Sequence, residues 1–143
     1  MFKINKDISH RNLYYIFIFF NILSVSIISQ ELITLITIKL QAGPGLIGLI
    51  NSFRYLTFMF VPLGRIVLRK EAPVHHMALY WRIRYLLLTG MPIAIIIASK
   101  NSSTLALIIF TFSILGFYIA KGFGFAANTP VIGHISEGED RGA

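Results

Sequence analysis

Apolar residues run in four long stretches, residues 13–38, 45–68, 79–99 and 104–135, parted by short polar segments. Each reaches or exceeds the ~20 helical residues that cross a hydrocarbon core of ~30 Å. None shows the alternation over about ten residues that marks a transmembrane β-strand. The pattern predicts an all-α, polytopic membrane bundle of four transmembrane helices. A polar lead covers 1–12, a basic loop 69–78 and a polar tail 136–143.

Within the first stretch Tyr14, Tyr15, Phe17, Phe19 and Phe20 crowd one end, as an interfacial aromatic belt does. Asn21, Ser24 and Glu31 fall within an arc of roughly 80° at 100° per residue, a polar stripe that should face protein or water. The second stretch puts Asn51 and Arg54 on one face, and its Gly48 and Ser52 form a small-xxx-small pair for close helix packing. Pro62 should kink it. The third carries Arg82 and Arg84 in its first turns, where long basic side chains are expected to snorkel to headgroups beside Tyr80, Trp81 and Tyr85. Gly90 and Pro92 predict a bend there. In the fourth, Gly116, Ala120 and Gly124 repeat every four residues as a second packing stripe. Its end is open: either near Gly122, making Lys121 an interfacial anchor, or near residue 135, placing Lys121 inside the membrane.

Composition agrees with a membrane chain: of 143 residues 55% are hydrophobic and 13% charged, with mean hydropathy +0.71, against about 25% charged in soluble domains. The net charge of +7 is explained by topology. Basic residues gather in the lead (Lys3, Lys6, Arg11) and around the central loop (Arg65, Arg69, Lys70, Arg82, Arg84), which the positive-inside rule makes cytoplasmic. The chain is thus expected in the cytoplasmic membrane with its amino terminus inside, the lipid bilayer as its partner and nucleic acid excluded. The first stretch is too long for the core of a cleavable signal peptide, so none is expected. There is no cysteine, hence no thiol chemistry. The His75-His76 pair lacks further ligands at metal spacing and reads as solvated, so no metal or cofactor is expected. Glu137, Glu139 and Asp140 stand without a facing histidine or nucleophile, and no phosphate-cradling loop occurs. An enzyme is not expected.

The informative charges lie in the apolar arms. Glu31 falls ~10 Å below the outer end of the first arm, and Arg54 comparably deep in the second. An ionised group in hydrocarbon costs roughly 2.5 to 3.5 kcal/mol on insertion scales, so the two should face one another or a wet cavity. A purely structural Glu31–Arg54 bridge and a place beside a substrate path are both open.

The segment Gly122-Phe-Gly-Phe-Ala-Ala-Asn-Thr-Pro130, followed by the acidic turn that ends Asp140-Arg141-Gly142, resembles the fourth span and following loop of the major facilitator superfamily. The stretch from Gly43 to Ser52 is similar to the start of that family's second span. Of its loop signature only Arg69 is kept, with Leu68 in place of the aspartate, and Tyr118 stands where the family has an arginine. The resemblance implies the first part of a six-helix half of a secondary active transporter, hence an incomplete chain whose partner is the remainder of the transporter. It implies that Glu31, Arg54 and Lys121 border a substrate path, with Asn21, Ser24, Asn51 and Asn128 as neutral hydrogen-bond partners. Two cations against one acid favour a small anionic or zwitterionic solute. The alternatives are an inert or accessory four-helix subunit and a dimeric small multidrug exporter.

Overall fold

The computed structural model describes residues 6–68, 72–100 and 103–135, with side chains except at 6–11, 24, 25, 27, 134 and 135. Among these the chain is helical throughout, with no strand. Helices α1 (Lys6–Ile27) and α2 (Gln30–Lys39) are followed by α3 (Pro44–Ser52), a 3-10 turn (Phe53–Tyr55) and α4 (Leu56–Leu68). Then come α5 (Pro73–Leu88), α6 (Gly90–Ala98), α7 (Ser103–Phe125) and α8 (Asn128–Ile135). Three composite helices, Pro44–Leu68, Pro73–Ala98 and Ser103–Gly133, are long and apolar enough to cross a membrane.

The first apolar stretch is divided. Its helix breaks at Ile28 and Ser29, and Ser29 caps α2 by accepting the Leu32 amide at 3.2 Å. Glu31 lies in the first turn of α2, where a negative charge suits the positive end of the helix dipole. A polar run that reads as one stripe of a continuous helix is therefore a helix start. Only Asn12–Leu23 of this region forms an apolar helical run, shorter than a span.

The turn into α3 also departs from simple reading. Gly43 has φ −68, whereas Gln41, at φ 60, takes the left-handed conformation after α2. There the Gln41 and Ala42 amides reach back to the carbonyls of Ile38 and Thr37, closing the helix end. Gly43 and Pro44 instead start α3, proline at its first helical position.

Helix α7 is the centre of the bundle, packed against α4 on one side and α5 with α6 on the other. Ala106, Phe110, Ile114 and Phe117, spaced by four, four and three, are fully or almost fully buried. That spacing is one face of a helix. Glycine governs how closely the neighbours approach. A Cβ on Gly122 would sit 2.6 Å from the Thr57 carbonyl oxygen, and one on Gly64 2.8 Å from Ala126 Cβ, which brings α4 against α7. A Cβ on Gly90 would overlap Ser113 Oγ. On the α5 side, Gly116 faces Leu87 and Gly124 faces Trp81, each at 3.0 to 3.1 Å from a built Cβ, with Ala120 buried between them. Gly48 has open space around it, and Ser52 is exposed and turns back to its own Leu49 carbonyl. Those two therefore form no close helix crossing among the described residues.

Candidate functional site

The interior cation of this bundle is Arg84. It is 1% exposed, which corrects the expectation that it snorkels to the headgroups. That expectation starts the third helix at residue 79, but α5 begins at Pro73. Arg84 is therefore eleven residues inside, ~16 Å along the axis. Trp81 stands three residues before it on the same helix face, and the guanidinium stacks 3.8 Å from the Trp81 ring centroid. Tyr85 and Phe117 rings lie 4.8 and 5.3 Å away. Nη2 donates to Asn21 Oδ1 at 2.8 Å and to the Tyr85 hydroxyl at 3.0 Å, while the buried Nε has no partner among the described residues.

Lys121, half-buried on α7, joins this cation to a second one. It lines a cleft of about 190 Å³ with Asn21, Ile22, Ser26, Trp81, Arg84 and Phe125. It also lines a cleft of about 360 Å³ with Arg54, Tyr55, Phe58 and Phe125. Its ammonium lies 5.9 Å from the Tyr118 ring centroid. A third cleft, of about 630 Å³, shares Phe58, Val61 and Phe125 with the second and adds Arg65 and Asn128. Four cations thus stand along three clefts that share lining residues. The one described carboxylate side chain, Glu31, is exposed on α2 and outside all three.

Glu31 and Arg54 make no ion pair among the described residues. Arg54, at the 3-10 turn, instead donates to Gln30 Oε1 and, at 2.6 Å, to the Tyr55 hydroxyl. Asn51 accepts from Thr34 at 3.2 Å and so ties α3 to α2. Of the expected residues, then, Asn21, Arg54, Lys121 and Asn128 fall on the connected clefts, and Glu31 and Asn51 lie apart from them. The Ser24 side chain falls outside the described residues.

His76 also departs from expectation. Its neighbour His75 is exposed, but His76 is fully buried, with Nε2 3.0 Å from the Phe123 carbonyl oxygen. A carbonyl accepts only, so Nε2 carries the proton. The acceptor is one of the last four carbonyls of α7, which a helix end leaves without intrahelical amides. His76 is thereby a cap supplied by a neighbouring helix, and its ring packs on Tyr80 at 4.6 Å.

Arg84, Trp81 and Tyr85, expected at the headgroups, Arg65, expected only to set topology, and Phe125 are absent from the expected path residues. The available signal was the Trp81–Arg84 spacing of three, which stacks a guanidinium on an indole wherever the helix is continuous.

Fold and interior together define a helical membrane protein with a cation-lined, partly open inner surface. No known protein family, no curated protein and no solved structure matches the chain.

Proposed function

We propose that this chain supplies membrane-crossing helices to a secondary active transporter of the major facilitator type. It would move a small solute across the cytoplasmic membrane, with the amino terminus and the loop before α5 on the cytoplasmic side. In this reading α1 and α2 cross together as a broken first span. The support is the run of three clefts joined through Phe58, Val61, Lys121 and Phe125, with Arg65, Arg54, Lys121 and Arg84 along it. Ionisable side chains within membrane helices mark solute pathways by default, because bilayer energetics removes those that have no use. The basic residues flanking α4 and α5 support the orientation.

Reconstitution into liposomes tests this. Labelled lactate or alanine should enter protein-containing vesicles faster than protein-free ones, in a saturable way. Lys121→Gln should lower that rate about tenfold, as loss of one partly desolvated charge on the path does. Folded, monodisperse protein that leaves entry of both solutes at the protein-free rate contradicts the transporter reading and favours an accessory subunit.

A further inference from the structure

We propose that the small cleft between α1, α5 and α7 is a binding site for one small carboxylate carrying an apolar group, held between Arg84 and Lys121. The inference rests on the transport reading for its role, but the binding itself does not need flux.

Three observations carry it. First, two cations line one cleft, and no described carboxylate is near either. Like charges confined together in a medium of low dielectric repel, and an anion between them removes the repulsion. Second, the Arg84 network is incomplete. Both described bonds use Nη2, and Nε is a buried donor without a partner among the described residues. A charged donor left in that condition is costly, and an oxyanion drawn toward the guanidinium gives it an acceptor. Third, beside the two cations and the polar Asn21 and Ser26, the walls are the apolar Ile22, Trp81 and Phe125. They would leave inorganic phosphate half desolvated but suit an aliphatic or aromatic tail. The volume of about 190 Å³ is below the range of drug-sized ligand pockets, so the ligand is small.

The stack of Arg84 on Trp81 supplies the readout, because Trp81 is the one tryptophan of the chain. Benzoate is added to protein in phosphatidylcholine nanodiscs while indole emission is followed. A saturable change is expected. Lys121→Gln should weaken it about tenfold, while Lys100→Gln, exposed at the far end of α6, should not alter it. Asn21→Asp is the sharper variant, since it sets a carboxylate at the oxygen that Arg84 already meets at 2.8 Å. It should leave the protein folded, raise its thermal midpoint and abolish the benzoate response.

A response to phosphate but not to benzoate would overturn the ligand class. A benzoate response that disappears when phosphatidylserine is in the disc, with emission already shifted by that lipid, would assign the site to a lipid carboxylate and overturn the solute. An equal response in Asn21→Asp would place benzoate elsewhere. Benzoate binding without flux contradicts transport alone, and flux without benzoate binding contradicts this site alone.

Discussion

Arg84 shows how a buried cation is kept in an apolar helix without an acid beside it among the described residues. Three aromatic faces and two oxygen acceptors replace part of its hydration shell, and the planar guanidinium stacks where an ammonium would not. Arg84→Ala should therefore cost about 2 to 4 kcal/mol, from the void among the rings and the lost guanidinium bonds to Asn21 and Tyr85. Arg84→Met combined with Asn21→Leu fills the same space without polar atoms. It should be neutral or stabilising by about 1 kcal/mol or more, because a buried charge is rarely the most stable occupant of its site. Reversible unfolding in detergent micelles measures both, and a double variant as unstable as Arg84→Ala would show that the charge network holds the fold. Trp81 and Arg84 are visible in the sequence as an i, i+3 pair. Asn21 as the partner, 63 residues away, is not.

Among the helices, small residues mark crossings only where a neighbour is present. Gly116 and Gly124 meet α5, and Gly64 and Gly122 bring α4 onto α7, but Gly48 meets nothing within 4 Å. Gly122→Ala forces a methyl against the Thr57 carbonyl and Phe60, and should destabilise by about 1 to 3 kcal/mol. Gly48→Ala, in open space within α3, should instead gain roughly 0.5 to 1 kcal/mol from helix propensity. The same micelle unfolding, read on the pair, checks this; equal losses in both would contradict the α4–α7 crossing. The spacing of four was legible for the α7 stripe, because one helix carries all three residues. Gly64 and Gly122 belong to different helices, so their meeting depends on how α4 and α7 are brought together. The helix break at Ile28 and Ser29 had its own local sign in Ser29-Gln30-Glu31, a cap followed by an acid, but the hydrophobic run on both sides outweighs it in any length count.

For the molecule in the bilayer, the chain's lack of cysteine makes topology directly measurable, since an introduced thiol is unique. His75 and Lys100 are both exposed and stand at opposite ends of the Pro73–Ala98 helix. In the proposed orientation His75→Cys should react with an impermeant thiol reagent from the cytoplasmic side only, and Lys100→Cys from the other side only. Reaction of both from one side would mean that this helix does not cross. The clefts along α4 and α7 remain open toward whatever surrounds the bundle, with Phe58 exposed at 73% and Met59 at 68%. Lipid or further helices would complete the walls of these clefts.

Length and hydropathy alone were enough for an all-helical membrane chain, because crossing a bilayer imposes ~20 apolar residues on every span whatever it packs against. Local pattern likewise reached the α7 stripe and the concentration of positive charge around the central loop. Which charge is inside was settled by packing. Arg84 is drawn inward because α5 starts six residues earlier than its apolar run and Asn21 of α1 meets it, whereas Glu31 faces outward because Ser29 starts a new helix there. Burial of a charge depends on partners distant in the chain, and no run of neighbouring residues carries that information.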